Sequence, residues 1–187
     1  MFNGEDRKKA WELLIGHLRA ENLRKHCIAV AAIMEGLAEH FGEDTDKWWI
    51  AGLLHDVDYE EMKDDITKHS LVGAQWLEAA GYPDDIVKAV RVHNEAHGFP
   101  LETLMEKALF VADTISGLII AAALILPDKK LASVTPQTVL NRFKEKSFAR
   151  GIKREDIVKC ADINLSLEQF FDISLRALQK YAGELGL

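Results

Sequence analysis

The sequence predicts an all-α protein, a helical bundle with additional helices at its C-terminal end. Apolar residues recur at intervals of three and four almost throughout. No stretch alternates with a period of two between hairpin turns, and helix start and stop signals recur along the chain. With 187 residues, 48% hydrophobic and 28% charged, and only four prolines, the composition suits one globular domain over residues 1–187, long enough to bury a core.

The first helix is expected from about Glu5 to Ala20. Asn22 is a good N-cap for a second, which runs to about Phe41 and stops at Gly42. A third starts near Asp44 and carries Trp48, Trp49, Ile50, Leu53 and Leu54 up to His55 and Asp56; Asp58, Glu60, Glu61 and Asp64 then read as a polar connection. A fourth covers roughly Thr67 to Ala80 and ends at Gly81, and Pro83, at a first-turn position, opens a fifth that reaches about His93. Gly98 and Pro100 break the pattern before a long helix from about Leu101 to Leu126, closed by Pro127. Thr135 with Pro136, and Ser166 with Gln169, mark the starts of helices in the C-terminal extension, residues 128–187.

The net charge of −7 opposes attraction to a nucleic-acid backbone or an anionic membrane, so neither is an expected partner. Cys27 and Cys160 form no CxxC pair and read as ordinary buried thiols in a reducing interior. Met1 to Ala10 has no apolar core of a secretory signal, and the apolar run Gly117 to Leu126 is about half of the roughly 20 residues a spanning helix needs. A soluble, cytoplasmic protein is expected. The stretch Leu118 to Leu126 is apolar on all sides, as in a helix covered by neighbours or by a second copy in a homodimer.

Four histidines and two aspartates, His26, His55-Asp56, His69, His93 and Asp113, fall near helix ends or on apolar helical faces. A lone His-Asp pair is common by chance, and a single histidine is more often surface or satisfied core than ligand; the ordered set is the stronger signal. Asp113 in "LFVADTISGLII" is costly to bury unless paired, hydrogen-bonded or metal-bound. Imidazoles with carboxylates and no cysteine cluster suit one or two divalent ions: iron or manganese first, then zinc, cobalt or magnesium. Such an ion lowers the pKa of a coordinated water and neutralises phosphoryl charge, which suits phosphate-ester hydrolysis.

The segments "HCIAV", "AGLLHDVDY", "KHSLVGAQWL", "VRVHNE" and "VADTISGL" together resemble the HD-domain hydrolases over about Leu23 to Pro127, an HD core of residues 23–127. The resemblance implies an HD-type helical bundle in which His26, His55, Asp56 and Asp113 hold one metal, with His55 and Asp56 as the catalytic pair. It further implies that His69 and His93 add a second ion with Asp56 bridging. Within the family the chain is similar to small HD hydrolases, among them the di-iron group that splits diadenosine tetraphosphate symmetrically. Asp58 stands where many relatives carry glycine or lysine. Asn94 replaces the second histidine of the pair found in cyclic-di-GMP phosphodiesterases, which argues against that substrate.

For substrate contact the expected residues are Lys68 and Asn94, which neighbour His69 and His93, and Lys146 and Arg150 in the basic segment Arg142 to Arg154. A solvated basic face is the plain alternative for that segment. His97, four residues after His93, would share its face if the helix continued, and is otherwise a helix-end residue. Trp48, Trp49, Trp76 and Phe110 keep helical spacing and read as core. The expected function is metal-dependent hydrolysis of a small phosphorylated substrate such as a nucleotide. A di-iron oxygenase of the same family and a non-catalytic metal- or nucleotide-binding module are the alternatives.

Overall fold

A computed structural model describes residues 4–187; Met1 to Asn3, part of the segment examined for a signal, lie outside the described residues. Helix α1, Glu5–His17, stops three residues short of Ala20. The Glu60 carboxylate explains why: its Oε2 accepts from the amides of Arg19 (2.6 Å) and Ala20 (2.9 Å), holding the linker extended. Helix α2, Glu21–Phe41, therefore begins before Asn22, which lies inside the helix instead of capping it. Gly42 closes α2 at φ 73°, a conformation glycine adopts without strain.

Asp44 caps α3, Thr45–Leu54, by accepting from the Lys47 amide at 3.0 Å, and His55 follows as the C-cap. The polar connection contains a short helix, α4, Tyr59–Met62. Helix α5, Leu71–Ala79, starts four residues later than Thr67, because Ser70 sits at φ 71°, outside helical space; its hydroxyl donates to the Arg91 carbonyl at 3.0 Å. Pro83 occupies the extended N-cap position before α6, Asp84–Val92, not the first turn.

Helix α7, Leu104–Leu124, begins at a Thr103–Glu106 capping box that the sequence reading missed. Its 21 residues make it long and apolar enough to cross a membrane by length and composition, where the shorter apolar run suggested otherwise. Most of it is buried against α2, α3 and α6 and against C-terminal helices. Its end is open, with Leu124 48% and the following Ile125 49% exposed, but neighbours within the chain cover most of the run read as a candidate dimer face.

The extension contributes α8, Pro136–Lys144, α9, Arg154–Ile157, a 3-10 segment Val158–Ile163, α10, Leu167–Lys180, and α11, Ala182–Leu185. Thr135 caps α8 and Ser166 caps α10 as expected. No strand occurs among the described residues. Helix α2 is the central post, packed by α3, α7 and α10. Buried Arg7 ties the layers together, bonding Glu35 of α2 at 2.7 Å and Asp46 of α3 at 2.6 Å. Tyr181, at the end of α10, donates to the other Glu35 oxygen at 2.7 Å.

The close α2–α3 contact positions the site. A Cβ on Gly52 would lie 2.7 Å from Ala31 Cα, so only glycine lets α3 lie this close to α2 and bring His55 to His26.

Candidate metal centre

His26 comes from α2, His55 and Asp56 from the end of α3, His69 from the turn before α5, His93 from the end of α6, and Asp113 from the middle of α7. All six converge. His26 Nε2 lies 3.2 Å from His55 Nε2 and 3.0 Å from Asp113 Oδ1. Asp56 divides its carboxylate: Oδ2 is 3.6 Å from His26 Nε2 and 3.4 Å from His55 Nε2, while Oδ1 is 3.2 Å from His69 Nε2 and 3.4 Å from His93 Nε2.

The same nitrogen of each ring faces inward because the other is held outside. Nδ1 of His55 meets the Gly52 carbonyl at 2.8 Å and Nδ1 of His93 meets the Val90 carbonyl at 2.7 Å, each one helical turn back. His69 Nδ1 meets Asp58 Oδ1 at 2.8 Å, and Ser116 Oγ lies 3.4 Å from His26 Nδ1. With each Nδ1 held by a carbonyl, carboxylate or hydroxyl oxygen, each Nε2 is the ring nitrogen aimed inward, as in histidine metal sites.

The donor set fits divalent ions. Two ligands about 2.0–2.2 Å from one metal at ordinary bond angles lie roughly 3–3.5 Å apart, which is close to the spacing here. Two groups have ligand atoms close enough to share an ion: His26, His55 and Asp56, and Asp56, His69 and His93. Asp113 completes the first and Asp56 is common to both.

Charge compensation is strong. Burial disfavours a charged His55, but Asp56 and Asp113 overcome it and raise the imidazole to about 9. Burial also opposes charge on His69, which its bonds to Asp56 and Asp58 raise to about 9. Against the cost of burial, the surrounding imidazoles hold Asp56 well below the usual carboxylate range, and His26 and His55 hold Asp113 low.

Two residues near the centre carry more than their sequence signal suggested. Asp58, noted only as a departure, is fully buried; besides orienting His69 it accepts from the Gly73 amide at 2.7 Å. Cys27, next to His26, is also buried, and burial together with the Asp56 and Asp113 charges pushes its thiol well up, so it stays neutral.

A cavity of about 200 Å³ opens over Asp56, His69, His93 and Asp113. Tyr59, Asn94, Glu95, Phe110, Thr114 and Asp156 form the rest of its wall. Of the expected substrate contacts, only Asn94 lies there, its Oδ1 occupied by the Ala96 amide at 3.1 Å. Lys68 is at the surface with Nζ 2.9 Å from Asp65 Oδ2, and Lys146 and Arg150 are exposed and outside the wall. The basic segment has structural work instead: Arg154 donates to the carbonyls of Ala149 (2.8 Å) and Ile152 (2.9 Å), and Arg142 pairs with Glu145 at 2.5 Å. His97 Nε2 bonds the His69 carbonyl at 2.8 Å from a 3-10 turn, so it steadies the loop and does not share a helix face with His93. Phe110, read as core, is both buried and part of the cavity wall.

Residues 23–118 match the family model described as HD domain. Ribonuclease Y of Nitratidesulfovibrio vulgaris is 32% identical over 109 residues, covering 56% of this chain and 21% of that protein. Ribonuclease Y of Fusobacterium nucleatum is 30% identical over 97 residues, covering 51% and 18%. The symmetrical bis(5'-nucleosyl)-tetraphosphatase of Bacillus subtilis is 35% identical over 111 residues, covering 48% and 59%. The chain thus spans about a fifth of the length of these ribonuclease Y relatives and 59% of the tetraphosphatase.

Proposed function

The chain belongs to the HD domain family, and on that premise we propose that it is a metal-dependent phosphohydrolase acting on a phosphate ester or anhydride of a nucleotide or another small molecule. The observation that carries the proposal is the Asp56 carboxylate, one oxygen facing His26 and His55 and the other facing His69 and His93. That division suits a pair of divalent ions, with iron or manganese favoured by the nitrogen and oxygen donors. When bound, such ions activate water for attack and neutralise charge on the phosphoryl oxygens.

The residues of the chain do the positioning. Gly52, Val90 and Asp58 fix three of the four imidazoles in one orientation, so the donors need no rearrangement to receive a cation. Burial of His55 and of its α3 surroundings excludes water from the α3 side of the centre. The small cavity and the net charge of −7 favour a small substrate over a nucleic-acid chain.

The test is release of phosphate or nucleotide by protein loaded with manganese, iron, zinc, cobalt or magnesium. Its panel holds small phosphate esters, bis(5'-nucleosyl) tetraphosphates and RNA, the substrates named for the relatives. The expected result is turnover of a small phosphate compound, absent in a His55→Ala, Asp56→Ala double variant. Preferential cleavage of RNA, or oxygen uptake by the iron form without phosphate release, would replace the proposal.

A further inference from the structure

We propose that Ser70 is a positioning residue for one half of the metal centre. Its hydroxyl ties the turn that carries His69 to the turn of α6 that orients His93. It thereby sets the affinity for the ion held with Asp56, His69 and His93, a role that rests on the two-ion reading above.

Ser70 is fully buried, yet it stands at φ 71° and ψ -33°, a combination that residues with a Cβ rarely adopt. Such a conformation persists only where the surroundings hold it. A helix begun at Thr67 would enclose His69. The break at Ser70 instead leaves His69 on the turn before α5, with its Nε2 3.2 Å from Asp56 Oδ1.

The contacts that hold Ser70 lead to α6. Its Oγ donates to the Arg91 carbonyl at 3.0 Å, and the preceding carbonyl, that of Val90, lies 2.7 Å from His93 Nδ1. Neighbouring carbonyls of one helical turn thus anchor the backbone beside His69 and the ring of His93, and the two ring centroids lie 5.2 Å apart. From the loop after His93, His97 Nε2 at 2.8 Å and Asn94 Nδ2 at 3.4 Å reach the His69 carbonyl and hold the same turn from its other side. Asp58 acts differently: it fixes the rotation of the His69 ring, and its second bond, from the Gly73 amide, runs to α5. The ion held with His26 and His55 is anchored elsewhere, His55 Nδ1 on the Gly52 carbonyl of α3 and His26 Nδ1 beside Ser116 Oγ of α7. Loss of the Ser70 hydroxyl should therefore loosen one ion and spare the other.

The experiment titrates manganese into the chelator-stripped full chain, unmodified and as Ser70→Ala and Ser70→Gly. Calorimetry reads the two Kd values, and electron paramagnetic resonance distinguishes a coupled manganese pair from a single ion. Both variants lack the hydroxyl, but glycine adopts positive φ without strain, so stripped Ser70→Gly should melt at or above Ser70→Ala. The expected result is that in both variants one Kd rises about 10- to 100-fold while the other stays within about twofold. The pair signal should give way to that of a single ion, as in His93→Ala. Normal affinity in either variant, or equal weakening of both ions, overturns the inference and leaves the two-ion reading intact; recovery in Ser70→Gly alone would assign the effect to backbone strain and not to the hydroxyl. Unfolding of stripped Ser70→Gly, read by circular dichroism, would make the residue purely structural and overturns it as well. Unmodified protein that holds one ion or none overturns the two-ion reading and the inference together.

Discussion

Asp58 Oδ1 lies 2.8 Å from His69 Nδ1, inside the protein, and the other Asp58 oxygen is held by the Gly73 amide. This carboxylate fixes the ring that faces Asp56 Oδ1. Asp58→Ala is expected to lower metal affinity about 10- to 100-fold, the usual effect of removing such a partner. Asp58→Asn keeps the shape but loses the charge, and should fall between. Competition with a graded chelator measures both; unchanged affinity in Asp58→Ala would show that packing alone orients His69.

Asp56 is shared, so its loss should differ in kind from loss of a terminal ligand. Asp56→Ala is expected to reduce bound metal towards zero. His26→Ala should remove the ion held with His55 and Asp113, and His93→Ala the ion held with His69, each leaving about one per chain. Elemental analysis after desalting reads the stoichiometry. One ion per chain in the unmodified protein, lost in both single variants, would reduce the centre to a single site.

Much of this centre was legible in the sequence because histidine and aspartate at helix ends advertise their chemistry by residue type. Asp58 was not, since its role depends on where α5 places the Gly73 amide, a tertiary fact. Charge sign in Lys146 and Arg150 suggested phosphate, but sign carries no direction, and the wall received Glu95 and Asp156 instead. Helix bodies followed from apolar periodicity. Their starts were displaced wherever a carboxylate outside the expected cap took the amides, as Glu60 does before α2 and Glu106 before α7.

Protons and metal compete for the same nitrogens. His55 and His69 stand at about 9, against about 6.5 in an unfolded chain. A raised folded value stabilises fully below about pH 6.5, and that contribution is lost as pH rises through about 9. Asp56 and Asp113 are lowered, so their contribution is present above about pH 4 and fades as pH falls. Chelator-stripped protein should therefore melt at lower temperature at pH 9.5 than at pH 6. Manganese-loaded protein should not, because the ion replaces the protons. Scanning fluorimetry of both forms checks this; a stripped protein whose Tm climbs over that range would contradict the charge assignment.

Two glycines on α2 and α3 separate packing from metal binding. A Cβ at Gly52 would meet Ala31 Cα at 2.7 Å and Ala31 N at 2.9 Å, backbone atoms that cannot swing aside. A Cβ at Gly36 would meet the Ala177 Cβ at 2.8 Å, on the α10 side of α2. Each alanine substitution should cost about 1–3 kcal/mol in urea unfolding. Only Gly52→Ala pushes α3 from α2 and so widens the 3.2 Å gap between His26 and His55. It should therefore weaken metal binding at least tenfold, while Gly36→Ala binds metal normally. Equal metal affinity in the two variants would mean that the His26–His55 spacing is set by the ion and not by the helix crossing.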